Sequence, residues 1–174
     1  KPIRVTMDAM DNRPHSPADD LARILSYHDA IDDSASVQEV ASEMYAMSCW
    51  TPEFCAALIR AADLVGVYTA HESDPVPGQE ISLAAISPSL FEAVQNDMGM
   101  RIWPQLQQHW PLIDYHGIND AFIIRYEVGG QEELRIHHDV AQVSASVKLN
   151  SDYLGAELQF PRQEFSNAEM PVGS

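Results

Sequence analysis

A cluster of metal-capable side chains, His137, His138 and Asp139, is the feature of this sequence with the clearest chemical potential. In an extended segment, residues two apart point to the same side, so His137 and Asp139 share a face and His138 points away. One imidazole and one carboxylate can occupy adjacent positions of an octahedral metal ion. They make up two thirds of the two-histidine, one-carboxylate triad that holds non-haem Fe(II). The spacing alone is a short pattern of common residues, so its surroundings must support it.

The remaining histidines and the cysteines show no ligand spacing. Each further histidine is interpreted as a surface residue or a hydrogen-bonded core residue, and these are His15, His28, His71, His109 and His116. Cys49 and Cys55 match neither a zinc motif nor a secreted disulfide framework. We expect two reduced thiols packed near a helix start.

Composition excludes several classes of protein. The chain has 174 residues, with 26 acidic against 10 basic side chains and a formal charge of −16. This surplus disfavours binding to nucleic acid or to anionic membranes and favours cationic substrates.

The length and the 45% hydrophobic content indicate one globular unit, and no apolar run approaches the roughly 20 residues of a membrane span. No signal peptide is visible and the predicted location is the cytoplasm, although removal of a segment upstream of Lys1 stays open.

The first half of the chain indicates helices. One helix is predicted from a cap at Ser16 with apolar spacing through Ile31, and a second from about Ser36 through Met44. Residues 71–78 are rich in Asp, Pro and Glu and are predicted to form a loop. A strand is predicted to follow at about residues 80–85.

Two further helices have clear end signals. Thr51 is predicted to cap the first of them, with Pro52 in its first turn and Gly66 as its stop. The second is predicted to start at Ser87 and to break near Gly99 and Pro104, before it ends at Trp110 and Pro111.

From residue 121 the hydrophobic period changes to that of strands. The even-numbered residues from Phe122 to Val128 form an apolar face of a strand. The odd-numbered residues lie on the opposite face, and these are Ile123, Arg125 and Glu127. Gly129 and Gly130 are predicted to turn the chain. Further strands are predicted at residues 134–138, 140–149 and 156–160. Helices followed by short strands indicate an α+β protein whose sheet part is a sandwich or barrel.

These segments resemble the catalytic domain of Fe(II)- and 2-oxoglutarate-dependent hydroxylases of the procollagen lysyl hydroxylase and prolyl 4-hydroxylase group, with the lysyl branch the closer match. The resemblance covers roughly residues 50–173 and is strongest over 121–161. It depends on the Arg125-Tyr126 pair, the loop that leads to the His-His-Asp run, a strand that closes on Leu149 and Asn150, and the Phe160-Pro161 pair.

The resemblance implies a double-stranded β-helix (jelly-roll) core with N-terminal helices packed outside it. It divides the chain into an N-terminal helical extension, residues 1–48, and a dioxygenase domain, residues 49–174. His137 and Asp139 are then the iron ligands, Tyr126 and Ser144 contact 2-oxoglutarate, and His138 is a neighbour. Fe(II), 2-oxoglutarate and O2 are the implied cofactors and cosubstrates, with ascorbate as an optional reductant. The expected reaction is hydroxylation of an unactivated C–H bond in a cationic amino acid, peptide or metabolite.

Two elements of the family pattern are absent from the sequence. The group has a distal histidine as third ligand, followed by a basic residue that pairs with the far carboxylate of 2-oxoglutarate. The Pro171-Val172-Gly173 run is similar to the lead-in to that histidine, so we expect the sequence to stop just before it. The basic side chains that could replace the missing anchor are Arg125, Arg135, Lys148 and Arg162.

A purely structural role is an alternative for both Tyr126 and Ser144. Tyr126 could be a core tyrosine, because it shares a face with apolar neighbours. Ser144 could be a small residue where two sheets approach. For the whole chain, the alternatives are a non-catalytic jelly-roll binding module that lost the iron centre, and a different metalloenzyme such as a zinc hydrolase.

Overall fold

The computed structural model of the chain describes residues 17–31, 36–70 and 76–174. Its helical elements are α1 (Pro17–Leu25), a 3-10 turn (Tyr27–Ala30), α2 (Pro52–Val65), α3 (Leu83–Ile86), α4 (Pro88–Asp97), a π-helical segment (Met98–Ile102) and α5 (Trp103–Leu106). Its strands are β1 (Gln38–Ala41), β2 (Met44–Ala46), β3 (Glu80–Ser82), β4 (Phe122–Ile124), β5 (Gln159–Phe160) and β6 (Phe165–Ser166). Within the described ranges the strands pair two by two and antiparallel, β1 with β2, β3 with β4 and β5 with β6.

Helix α2 has the ends that its sequence predicts. The backbone N–H of Phe54 donates to the Thr51 hydroxyl over 3.3 Å, and Pro52 occupies the first turn. Gly66 ends the helix at φ +68° and donates its N–H to the Ala62 carbonyl over 2.9 Å. Both end signals are therefore confirmed.

The Thr51 cap gives a measurable contribution to stability. Thr51→Ala is expected to lower the free energy of unfolding by about 1 kcal/mol, because the Phe54 N–H loses its acceptor. Urea unfolding measures this difference. Thr51→Ser keeps the oxygen and should lose only a few tenths of a kcal/mol; an equal loss in both variants would contradict the capping role.

One hydrophobic core joins the N-terminal residues to the rest of the helices. Ile24, Tyr27 and Ala30 pack with Phe54 and Leu58 of α2, and the same core continues to α3, α4, β3 and β4. The predicted division at residue 48 stays a prediction, but side chains from both sides of that residue lie in one core.

The second predicted helix is wrong. Residues 36–44 contribute instead to a hairpin, β1 and β2, with Glu43 at φ +61°. The hairpin packs on distant aromatic residues: the Tyr45 ring stacks on His109 with centroids 4.2 Å apart, and Trp110 Nε1 donates to Glu43 Oε2 over 2.7 Å. Contacts this far apart in sequence outweigh a short helical period. The first helix also ends earlier than predicted, at Leu25, and its predicted cap Ser16 lies outside the described residues, as do His15 and His71.

The start and the break of the fourth helix are confirmed. The Ser87 hydroxyl accepts the Leu90 N–H over 3.3 Å, and the helix changes to π geometry at Met98–Ile102, where the break was predicted. A β-carbon at Gly99 would lie 2.8 Å from Tyr115 Cε1, so the close approach of that ring requires glycine. Pro104 lies in α5 directly after the π-helical segment, where the N–H that proline lacks interrupts the regular helical hydrogen bonding.

A buried polar network connects α4 to the N-terminal residues. Arg101 donates to both Asp97 carboxylate oxygens over 2.7 Å, and their side chains are 16% and 7% exposed. The Tyr27 hydroxyl donates to Asp97 Oδ2 over 2.9 Å and accepts from Trp50 Nε1 over 2.8 Å. No local sequence pattern predicts the whole network, although Asp97 and Arg101 have the spacing of a helical ion pair.

Gly173 joins the C-terminal residues to both halves of the chain. Its carbonyl accepts the N–H groups of Cys49 and Trp50 over 2.7 and 2.9 Å, and its own N–H donates to the Lys148 carbonyl over 2.8 Å. It lies at φ +88°, and a β-carbon there would overlap the Trp50 carbonyl oxygen. Only glycine fits this contact.

The predicted sheet forms only in part. Among the described residues, those at 134–138 and 140–149 belong to no strand, although Lys148 exchanges backbone hydrogen bonds with Gly173 and Ser174. The strand predicted at 156–160 pairs only over β5. Ile136 is 81% exposed and Val140 is fully exposed. A short strand is stable only beside a partner, so apolar alternation alone does not form one. The double-stranded β-helix therefore stays a prediction. In the same described ranges, no helix is both long enough and apolar enough to cross a membrane.

Both cysteines are unpaired and buried, as predicted. Burial raises the pKa of Cys55 from its usual value of 9.0 to about 12, and burial also raises the pKa of Cys49. The folded state therefore holds these protons more tightly than the unfolded state does.

Alkaline pH should destabilise the fold for this reason. The stabilisation from the protonated Cys55 thiol is fully present below pH 9 and is lost as the pH rises towards 12. Urea midpoints measured between pH 8 and pH 11 should fall with increasing pH. Replacement of Cys55 by alanine should flatten this slope; an unchanged slope would contradict the assignment.

Candidate metal centre

His137 and Asp139 lie side by side in the structure. His137 Nε2 and Asp139 Oδ1 are 3.2 Å apart, and the two side chains are 35% and 51% exposed. The two-residue spacing predicted that these groups share a side, and the structure brings them together. His138 lies between them in sequence and is exposed.

The hydrogen bond made by His137 Nδ1 affects what His137 Nε2 can bind. Nδ1 lies 2.8 Å from the Arg135 carbonyl oxygen, which can only accept, so the tautomer with its proton on Nδ1 makes this hydrogen bond. Nε2 faces a carboxylate oxygen, which is also only an acceptor. The pair is therefore satisfied either by a second proton on the ring or by a cation bound to both atoms. A backbone carbonyl on the far nitrogen is also the usual support of a metal-bound imidazole.

The donor set fits a divalent transition metal. An imidazole nitrogen and a carboxylate oxygen are accepted by Fe(II), and 3.2 Å is the distance between adjacent corners of an octahedron with metal–ligand bonds of about 2.3 Å. A third protein ligand is not found beside them: within residues 17–31, 36–70 and 76–174, no group of three or more His, Cys, Asp or Glu side chains could hold a metal ion. The pair could supply at most two ligands.

Tyr126 comes just after β4, which pairs with β3. The N–H of Arg125 adds one more hydrogen bond to this pair, 2.9 Å long, to the Gln79 carbonyl. Tyr126 is 38% exposed, so the alternative of a buried core tyrosine does not fit. Partial burial raises its pKa, and the phenol is therefore protonated at neutral pH. Ser144 is exposed. In the described structure neither residue hydrogen-bonds to His137 or Asp139, so their roles stay predictions.

Arg125 is already engaged by its neighbours. It donates to Glu127 Oε2 over 2.7 Å, lies 3.9 Å from Asp63 Oδ1, and places its guanidinium 5.4 Å from the centre of the Tyr68 ring. These contacts hold Arg125 against the C-terminal end of α2.

Lys148 is engaged by the C-terminal residues. Its Nζ donates to the carbonyls of Ala168 and Asn167 over 2.8 and 3.3 Å. Arg135 and Arg162 are exposed. Of the four basic residues considered as anchors, Arg125 and Lys148 therefore have structural roles.

The turn after Tyr126 is fixed by the side chain of Gln131. Its Oε1 accepts the backbone N–H of Gln79, and its own carbonyl accepts the N–H of Glu127 over 2.9 Å. This turn positions the segment that leads to His137, and no simple sequence signal identifies Gln131.

Comparison with known proteins finds a distant similarity. No family model matches the sequence. The chain is 24% identical over 155 residues to a protein of Acanthamoeba polyphaga mimivirus named procollagen lysyl hydroxylase and glycosyltransferase. The match covers 78% of this chain and 16% of the viral protein, so the chain spans about a sixth of that relative's length. The similarity indicates a distant relation to a part of that viral protein.

Proposed function

We propose that the chain belongs to a hydroxylase that uses Fe(II), 2-oxoglutarate and O2 to hydroxylate an unactivated C–H bond. The 3.2 Å approach of His137 Nε2 to Asp139 Oδ1 is the observation on which this proposal depends. The similarity to a viral protein named as a lysyl hydroxylase supports the hydroxylase part.

His137 and Asp139 would hold the iron. When bound, Fe(II) and 2-oxoglutarate supply with O2 the oxidising power for the reaction, and ascorbate would serve as an optional reductant. The protein would orient the histidine ligand: His137 Nδ1 donates a hydrogen bond to the Arg135 carbonyl, so that Nε2 faces Asp139 and the proposed metal position.

Tyr126 and Ser144 would contact 2-oxoglutarate. A protonated phenol donates a hydrogen bond to a carboxylate, and the raised pKa of Tyr126 keeps its proton in place at neutral pH. Ser144 offers a second hydroxyl donor. The substrate is proposed to be a cationic amino acid, peptide or metabolite, because a chain with a net charge of −16 attracts cations.

The test is succinate release in the presence of 2-oxoglutarate and a lysine-containing peptide, with Fe(II) or Zn(II) as the metal. We expect release with Fe(II) and none with Zn(II) or without metal. Hydrolysis that depends on Zn(II), without succinate, would instead indicate a zinc hydrolase.

The second candidate is a non-catalytic binding module. It is favoured by the absence of a third ligand beside His137 and Asp139 in the described part of the chain. Such a module would bind no Fe(II) and release no succinate with any peptide.

A further inference from the structure

The side chain of Gln131 completes the end of the β3–β4 pair. Glu80 lies opposite Ile124 in this pair, so Gln79 comes opposite Arg125. Residues at such a position of an antiparallel pair regularly exchange two backbone hydrogen bonds. Here the Arg125 N–H donates to the Gln79 carbonyl over 2.9 Å, but the Gln79 N–H donates to Gln131 Oε1. The Gln131 amide therefore takes the place of the Arg125 carbonyl, and the chain leaves the sheet at Tyr126.

The backbone of Gln131 holds the other side of Tyr126. Its carbonyl accepts the N–H of Glu127 over 2.9 Å, and the Glu127 carbonyl accepts the N–H of Gly130 over 3.1 Å. Tyr126 thus lies between two points that depend on Gln131, the Gln79–Arg125 pair before it and the Glu127 N–H after it. The path of the backbone through Tyr126 is therefore set by this one residue.

The second polar atom of the Gln131 side chain is buried. Within the described ranges, Nε2 is shielded from water and makes no hydrogen bond. A β-carbon built on Gly78 would lie 3.8 Å from it, so the amide packs against this buried glycine. Burial of an unpaired donor costs free energy, and an aliphatic side chain of the same length would avoid that cost. The hydrogen bond from Gln79 to Oε1, and not packing, therefore explains an amide at this position.

We infer that Gln131 is the positioning residue of Tyr126: its amide oxygen turns the chain out of β4 and so places the phenol for 2-oxoglutarate. This inference rests on the proposed function, in which Tyr126 contacts the cosubstrate. The orientation of His137 depends instead on the Arg135 carbonyl, two residues before it. Loss of the Gln131 oxygen should therefore weaken 2-oxoglutarate binding and leave the iron requirement nearly unchanged.

The first measurement is amide hydrogen exchange of the metal-free, 15N-labelled chain. In Gln131→Met, which keeps the length but loses the acceptor, the amides of Gln79 and Glu127 should exchange at least about fivefold faster. Gln131→Glu keeps an acceptor oxygen and should restore slow exchange. Gln107→Met is the matched control, because Gln107 is exposed and lies in another part of the fold, and it should change neither amide. Unchanged exchange in Gln131→Met would overturn the inference.

The second measurement is an anaerobic titration with 2-oxoglutarate at saturating Fe(II). Gln131→Met should raise the dissociation constant of 2-oxoglutarate about tenfold, while the iron requirement stays within about threefold. Gln131→Glu should recover most of this affinity, and Gln107→Met should lose none. Equal losses of iron and 2-oxoglutarate affinity in Gln131→Met would indicate a general structural role and overturn the inference. A chain that binds no Fe(II) would contradict the proposed function instead, and the exchange rates would still decide whether Gln131 positions Tyr126.

Discussion

Replacement of His137 or Asp139 by alanine is expected to lower succinate release at least about a hundredfold. In the proposed centre each residue supplies one of the two protein ligands, and the two donor atoms lie 3.2 Å apart. A single remaining ligand on an exposed segment would hold Fe(II) too weakly for turnover. Succinate measured at saturating 2-oxoglutarate and increasing Fe(II) tests this directly, because lost metal affinity appears as a higher iron requirement.

His138→Ala is the matched control for these two variants. His138 is exposed, has the same chemistry and lies between the two residues in sequence, but the proposed centre gives it no ligand role. It should keep activity within about threefold of the original chain. Circular dichroism should show all three variants folded, because none of the side chains is buried. Equal losses in all three would contradict the assignment of ligands.

Asp97→Ala is expected to lower the free energy of unfolding by about 3–5 kcal/mol. The variant leaves the Arg101 guanidinium, 16% exposed, without the carboxylate that accepts two of its hydrogen bonds. It also removes the acceptor of the Tyr27 hydroxyl, which is itself buried. Urea unfolding followed by circular dichroism measures the loss.

Two controls separate the buried charge from a general effect. Asp114→Ala removes an exposed carboxylate and should change stability by no more than about 0.5 kcal/mol. The double variant Asp97→Ala with Arg101→Met removes the stranded charge as well, and should recover a large part of the stability. A loss below about 1 kcal/mol in Asp97→Ala would show that water, and not Asp97, satisfies Arg101.

Helix ends could be predicted from the sequence because their causes are local. Thr51, Gly66 and Ser87 act on backbone groups within four residues of themselves, so the sequence contains the whole signal. The break near Gly99 was equally visible, since glycine and proline change the backbone directly. The apolar period of α2 predicts one buried face, and Phe54, Leu58 and Ala62 of that face are buried, whereas Ile59 and Val65 are not.

Structure that depends on distant partners could not be predicted in this way. The β1–β2 hairpin is held by Tyr45 against His109 and Trp110, more than sixty residues along the chain. The contact of Gly173 with Trp50 depends on a positive φ and on the path of another segment. Neither leaves a pattern in the neighbouring sequence.

The same difference between local causes and distant partners applies to the candidate site. The two-residue spacing correctly predicted that His137 and Asp139 lie side by side, but the strand from which this was inferred does not form, since residues 134–139 belong to no strand of the described structure. The positions of Tyr126 and Ser144 relative to this pair depend on strand pairing across the sheet, which local sequence does not determine. The support that Gln131 gives to the turn depends on Gln79, fifty-two residues earlier.

Anaerobic titration of the chain with Fe(II) in the presence of 2-oxoglutarate tests the central claim most directly, because it requires no substrate. We predict a weak visible charge-transfer band that saturates at one iron per chain and is absent from the His137→Ala and Asp139→Ala variants. A chain that develops no band, or a band that persists unchanged in both variants, would contradict the claim that these two side chains hold iron.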